Sequence, residues 1–379
     1  MKVAICGYPP LARQVQESFN NSGIAFEFFI RDFVSTRGGG DNNFVTDLPP
    51  INFFEFRRLV NAGELEGLII AEDCRQTFTK NVVAICKLYS VPKVGVTDFI
   101  LPNPFIPVHW LDKNKAYIPY LETNLVDGCN LNCKGCTHFA GLFKRDEIYS
   151  LKTFRRDIRQ ISQVCDVSTF RLLGGEPLLL ENLDEYIKIA RQCLPKTSLH
   201  ITTNGLLIPS LPKKILAAMQ ENNCLVDVTG YKPTLKIFDK IETILQSNRI
   251  AYTKISFGKT DDINFYVFLT LNPGNDPAKS RNACFNDGCR FLRNGKIYKC
   301  PIDSLSYRFA ESFGIENYPP ATGVDLYSQN FSSRLEMLDG DIEMCNYCGE
   351  QSRFINWEPS NKPQLEDWLA DPDELKSFS

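Results

Sequence analysis

Leu121-Glu122-Thr123-Asn124-Leu125-Val126-Asp127-Gly128-Cys129-Asn130-Leu131-Asn132-Cys133-Lys134-Gly135-Cys136 is a strand-like run that leads into three cysteines within eight residues. Residues 121–126 read as a β-strand, so the cysteines fall on the loop that follows it. Three thiolates so spaced can wrap one face of a cubane iron–sulfur cluster. Three ligands leave one of four irons open, and an open iron can chelate a small molecule. A fully ligated electron-transfer cluster cannot do this. Taken alone, the three cysteines could also be part of a zinc site.

Working outward, strands are expected at Thr169–Leu173, Ser198–Thr203, Leu225–Thr229, Ala251–Ile255 and Phe265–Leu271. Helices are expected between most of them, at Leu151–Val164, Leu183–Cys193, Lys213–Asn222 and Leu235–Ser247. With Leu121–Val126 this makes a partial (β/α)₆ barrel, whose loops at the C-terminal strand ends share one rim. Gly174-Gly175-Glu176-Pro177 follows the second strand, and Thr202-Thr203-Asn204-Gly205 ends the third. Either could be an ordinary turn, but both stand on the same rim as the cysteine loop.

The three motifs together resemble the radical S-adenosylmethionine (SAM) superfamily, over about residues 120–270. The resemblance implies a 4Fe–4S cluster on Cys129, Cys133 and Cys136, with SAM on the open iron. One electron from an external donor such as a flavodoxin or ferredoxin would cleave SAM to methionine and a 5′-deoxyadenosyl radical, which abstracts a substrate hydrogen. Gly174, Gly175, Glu176 and Pro177 would meet the cofactor, Glu176 orienting its ammonium. Thr202, Thr203 and Asn204 stand where the family places ribose or methionine contacts. The chain departs at Gly135, where the family usually has an aromatic residue.

Cys284, Cys289, Cys300, Cys345 and Cys348 form a second group. Cys289 to Cys300 spans a hairpin with Asn294-Gly295 as its turn, and Cys345-x₂-Cys348 is a metal-gripping knuckle. The group resembles the SPASM/twitch-type C-terminal extension of radical SAM enzymes in its shorter form, which implies one auxiliary 4Fe–4S cluster. Five cysteines compete for four places; Cys289, Cys300, Cys345 and Cys348 are the expected ligands, with Cys284 competing with Cys289. A structural zinc ribbon is the alternative.

Residues 1–100 also alternate. Val3–Cys6, Phe26–Ile30, Gly67–Ala71 and Lys93–Thr97 read as strands, and Leu11–Asn21 and Asn81–Tyr89 as helices. This is a small parallel, Rossmann-like α/β domain. Its first loop, Gly7-Tyr8-Pro9-Pro10, lacks the glycines that let a backbone approach a dinucleotide phosphate. Ser35–Asn43 reads as a loop, residues 101–119 as a linker, 120–272 as the barrel and 273–357 as the auxiliary domain. The acidic tail, 358–379, is expected to dock loosely or fray.

The whole chain has 379 residues and a net charge of −3, which argues against a broad nucleic-acid or anionic-membrane footprint. No run of about 18 apolar residues suggests a transmembrane helix, and the N-terminus reads as a strand rather than a signal peptide. A cytoplasmic location is expected, where thiols stay reduced. Cys6, Cys74, Cys86, Cys165, Cys193 and Cys224 stand singly in apolar surroundings, as small buried hydrophobes do.

Among other residues, His138 follows the cysteine loop and could approach the cluster or the substrate, while His109 and His200 read as structural. Arg281, Arg290 and Arg293 flank the second group and could bind an anion. Cys284, Tyr231 and Arg290 are the catalytic candidates, Cys284 as a thiol hydrogen donor. The resemblance to enzymes with one auxiliary cluster implies oxidation (dehydrogenation) or epimerisation, and an α/β N-terminal domain, in place of the winged-helix peptide-recognition domain common in the family's peptide-modifying members, implies a small, sugar-like substrate. A peptide-modifying maturase and a zinc-stabilised binding protein without radical chemistry are the competing readings.

Overall fold

A computed structural model describes residues 1–19, 22–34, 47–72, 77–97, 108–255, 264–284 and 288–377. Cys74, the loop Ser35–Asn43 and residues 101–107 of the linker lie outside the described residues. The chain forms two compact units, Met1–Tyr120 with Cys165–Ser168, and Leu121–Val164 with Thr169–Ser379.

The first unit is built from β1 (Lys2–Gly7), α1 (Pro9–Phe19), β2 (Ala25–Val34), β3 (Pro50–Ile51), α2 (Phe53–Asn61), β4 (Gly67–Ala71), α3 (Thr77–Leu88), β5 (Lys93–Thr97) and β6 (Val108–Trp110). Its sheet runs in the order β3-β2-β1-β4-β5-β6. Pairing is parallel except for β6 against β5. Strand β1 is apolar on both faces because both are covered. Val3 and Ile5 pack with Leu11, Ala12 and Val15 of α1. Ala4 and Cys6 pack with Phe56 of α2 and with Val82, Val83 and Cys86 of α3. Helix α2 was not anticipated, although its signal is present: the Asn52 side chain accepts the Glu55 N–H at 2.8 Å as an N-cap.

The second sheet begins with β7 (Ala116–Val126). After it come α4 (Leu151–Val164), β8 (Cys165–Gly174), α5 (Leu183–Cys193), β9 (Ser198–Thr203), α6 (Lys213–Glu221), β10 (Leu225–Thr229), α7 (Lys232–Leu235), α8 (Phe238–Ser247) and β11 (Tyr252–Ile255). The sheet order runs β11-β10-β9-β8-β7, and β8 to β11 pair in parallel as successive crossovers require. Phe170 of β8 stacks over Phe154 of α4 at 6.5 Å. The alternating residue Arg171 therefore faces away from the helices, onto the concave side of this partial barrel.

The remaining elements are β12 (Asn264–Leu269), α9 (Pro277–Ala283), β13 (Cys289–Arg293), β14 (Lys296–Tyr298), α10 (Pro301–Phe313), β15 (Val324–Asp325), α11 (Phe331–Met337) and β16 (Cys348–Asn356). Strands β13, β14 and β15 extend the barrel sheet beyond β7. The Asn294-Gly295 turn between β13 and β14 has φ of 47° and 76°, as the hairpin reading required. One expectation is corrected. The segment read as the sixth barrel strand, β12, leaves that sheet and pairs antiparallel with β16. A run of apolar residues specifies a strand but not its partner. The acidic tail is also not loose, since residues 358–370 hydrogen-bond to the cysteine loop and to β12. Among the described residues no helix is long and apolar enough to cross a membrane.

Candidate active site

Cys129, Cys133 and Cys136 sit on the loop that β7 delivers to the rim. The first two are buried and the third is half-buried. Burial pushes the Cys129 thiol up to about 12, with the Glu176 charge adding to it. Burial likewise raises Cys133 and Cys136. Thiols so placed become thiolates when a cationic centre supplies the compensating charge. N–H groups already point at the sulfurs: Leu131 N–H at 3.4 Å from Cys129 Sγ, and the Trp357 indole at 3.0 Å from Cys133 Sγ. The donor set fits an iron–sulfur cluster. Among the described residues no three His, Cys, Asp or Glu side chains are grouped as around a single ion.

The two other rim motifs are locked to this loop. A Cβ on Gly174 would lie 2.0 Å from the Val126 carbonyl oxygen, and one on Gly175 would lie 2.1 Å from that of Gly128. Here the glycines serve contact between rim backbones. Glu176 is fully buried. It accepts Thr203 Oγ1–H at 2.6 Å, Asn204 N–H at 2.9 Å and Leu178 N–H at 3.0 Å. Burial nevertheless lifts its carboxyl to about 7. Pro177 opens the short turn that Glu176 caps. Asn204 donates through Nδ2 to Asn130 Oδ1 at 2.6 Å, tying the third motif to the cysteine loop. Thr202 Oγ1 is a buried hydroxyl without a hydrogen-bond partner.

The departure at Gly135 has a steric cause. Its φ is +66°, and a Cβ there would meet Val267 Cγ1 at 2.5 Å and Ile355 Cδ1 at 3.0 Å. Aromatic surface comes instead from afar. Tyr231 stacks on Phe265 at 6.1 Å and lies 5.5 Å from Trp357, packed with Cys133 and Cys136. Burial raises the Tyr231 phenol, and the charges of Cys133, Cys136 and Cys129 raise it further. Of the three catalytic candidates, Tyr231 is the one at this loop.

A polar chain links the loop to the β13 hairpin. His138 Nδ1 lies 2.9 Å from Asn124 Oδ1, and Asn124 Nδ2 donates to Asp127 Oδ1 at 3.0 Å. Arg293 holds both oxygens of Asp127 at 2.7 Å. Burial lowers the pKa of His138. Arg281 pairs with Asp341 at 3.1 Å, and Arg290 is buried against Asp339 and the Cys289 carbonyl. All three arginines are thus paired with carboxylates. On the concave face Asp227 gathers His200 at 3.0 Å, Arg171 at 3.1 Å and Thr253 at 2.5 Å. His200 is buried in this network, as its structural reading required. The network itself was not foreseen, since its members come from four strands.

In the second group, Cys284, Cys300, Cys345 and Cys348 line one cavity of ≈ 310 Å³, together with Lys299 and Tyr266. Burial raises Cys300 and Cys348; the charges of Asp303, Cys284 and Cys345 raise Cys300 further, and those of Cys300, Cys345 and Cys284 raise Cys348. Cys289 stands apart, buried at the start of β13. Of the two competing cysteines, Cys284 is the one that lines this cavity. Both fit the sequence spacing, and Cys284, at the C-terminal cap of α9, lies on the cavity wall.

Residues 123–254 match the model described as the Radical SAM superfamily. The GTP 3′,8-cyclase of Clostridium acetobutylicum is 28% identical over 149 residues, 36% of this chain and 46% of that protein. That of Alkaliphilus oremlandii is 29% identical over 171 residues, 41% of this chain and 53% of that protein. The chain thus spans about half the length of these curated relatives. Among solved structures, BtrN in complex with AdoMet and 2-DOIA is 16% identical, with a TM-score of 0.36 over 69% of this chain and 99% of that one. The tagged anSMEcpe with bound AdoMet is 20% identical, with a TM-score of 0.30 over 36% of this chain and 43% of that one.

Proposed function

We propose that this chain, which carries a radical SAM domain over residues 123–254, cleaves S-adenosylmethionine reductively and uses the radical to oxidise or epimerise a small, sugar-like metabolite. The observation that carries the first part is the locked rim. Three cysteines, two buried and one half-buried, sit on a loop joined to both neighbouring motifs through Glu176 and Asn204. A 4Fe–4S cluster and SAM, when bound there, supply the electron and the 5′-deoxyadenosyl radical. Cys129, Cys133 and Cys136 would hold that cluster. Gly174, Gly175, Glu176, Pro177, Thr202, Thr203 and Asn204 would frame SAM. Glu176 acts by fixing the Thr203–Asn204 backbone, and the Thr202 hydroxyl is the polar group left to meet a ligand. Tyr231, Phe265 and Trp357 shield the loop from water, which protects a radical from quenching.

The oxidative outcome is supported by the four-cysteine cavity. An auxiliary 4Fe–4S cluster on Cys284, Cys300, Cys345 and Cys348 would accept the electron that a substrate radical must lose to become a carbonyl product. The similarity to GTP 3′,8-cyclases favours a second reading, in which the substrate is a purine nucleotide. The reductant is an external flavodoxin- or ferredoxin-like donor in either case.

The test is anaerobic protein with dithionite and SAM. 5′-Deoxyadenosine should form, with about eight irons per chain and an absorbance band near ~400 nm from thiolate-held clusters. Iron-replete protein that makes none would overturn the radical reading, and stoichiometric zinc without iron would replace it with a binding role. Stimulation by GTP, but not by sugars or aminocyclitols, would select the second reading.

A further inference from the structure

The C-terminal segment closes on the cysteine loop as a strap. Pro359 forms an antiparallel bridge with Cys133. Lys134 N–H donates to the Glu358 carbonyl at 3.0 Å, and Ser360 N–H donates to that of Asn132 at 2.7 Å. Trp368 Nε1–H reaches the Cys136 carbonyl at 2.9 Å. These contacts fix Trp357, which is 4% exposed, with its indole N–H aimed at Cys133 Sγ at 3.0 Å. Leu131 N–H and Asn204 Nδ2 approach Cys129 Sγ less closely, at 3.4 and 3.8 Å. An indole nitrogen donates and does not accept, so its proton has one orientation. Tyr231 and Phe265 pack around the site. A hydrogen bond in such surroundings is stronger than one in water.

We infer that Trp357 is a positioning residue that sets the reduction potential of the cluster held by Cys129, Cys133 and Cys136. The inference rests on the cluster reading above. A hydrogen bond to a thiolate draws electron density from the sulfur. It therefore stabilises the reduced, more negative cluster more than the oxidised one, and the potential rises. β16 begins at Cys348 of the second group and ends at Asn356, one residue before the donor. One strand thus joins the two cysteine groups.

The experiment is a potentiometric titration of the anaerobic full-length protein, followed by electron paramagnetic resonance. The open-iron cluster is identified by the change SAM causes in its reduced signal. Trp357→Phe removes the N–H. Replacement of Trp357 by benzothienylalanine removes it while keeping the bicyclic volume, so the fold is held by at least one variant. Trp368→Phe loosens the strap without touching a sulfur. The expected result is wild-type iron content in the benzothienylalanine variant, a more negative potential in every Trp357 variant that keeps its iron, and no shift in Trp368→Phe. An unchanged potential in the iron-replete benzothienylalanine variant overturns the inference. So does an equal shift in Trp368→Phe, because loosening alone would then account for it. Wild-type protein that takes up no iron overturns the cluster reading, which is a separate failure.

Discussion

Cys284 and Cys289 differ by five positions in sequence and by their place relative to the cavity of Cys300, Cys345 and Cys348. Both are cysteines on segments that lead into or form the hairpin, and spacing alone does not choose between them. The cavity has Cys284 on its wall with Cys300, Cys345 and Cys348. Cys284→Ala should therefore lower iron from about eight to about four per chain, the loss of one four-iron cluster. Cys289→Ala should leave it unchanged; anaerobic iron analysis checks both. Asp227 makes a second case at this scale. Burial works to raise its carboxyl, but the His200 hydrogen bond and the Arg171 charge outweigh it and hold the pKa below the usual range. A depressed carboxylate contributes stability above the unfolded value of about 3.9 and loses it as pH falls through the folded value. Asp227→Asn should cost about 3–5 kcal/mol at neutral pH, because Arg171 is left buried without its counter-charge. The variant should also lose part of the wild-type pH dependence below about pH 4. Urea titration at several pH values measures both.

Strand β12 shows what an element can hide. Its apolar sequence was legible, and its place as a sixth barrel strand followed from counting. The structure gives it to β16 instead, with Phe265 opposite Ile355 and Val267 opposite Arg353. This pairing carries Val267 and Ile355 against Gly135, which is why an aromatic side chain has no room in the cysteine loop. The strap after β16 was misread for a related reason. Its acidic, proline-containing sequence resembles a fraying tail, but its backbone finds partners in the loop and in β12. Truncation after Asn356 should remove the Trp357 and Trp368 donors together. The truncated protein should then lose the iron of the cysteine loop, about four per chain, on brief exposure to air. A time course of absorbance near ~400 nm, against full-length protein, would show the loss; equal decay would mean the strap does not protect the loop.

At the scale of the molecule, the two compact units have different sources of stability. The first has a parallel sheet covered by apolar residues on both faces. The second holds both cysteine groups, so metal binding and folding are linked there. Iron removal by a chelator under reducing conditions should lower the melting transition of the second unit by several degrees or more, while leaving a transition of the first unchanged. Differential scanning calorimetry before and after chelation reads this directly. A single transition that moves as a whole would show that the units melt together.

The sequence by itself determined the two alternating α/β regions, the three-cysteine loop after a strand, and the rim motifs Gly174–Pro177 and Thr202–Gly205. These are local signals: a periodicity, a spacing and a turn, each complete within a few residues. Tertiary structure alone decided that Glu176 is spent on Thr203 and Asn204, that Cys284 rather than Cys289 lines the cavity with Cys300, Cys345 and Cys348, and that Trp357 donates to Cys133 across 224 positions of chain. Such contacts depend on which strands pair and where a terminal segment docks. That is settled by the burial of surface and the pairing of backbone groups over the whole unit, and no window of sequence contains it.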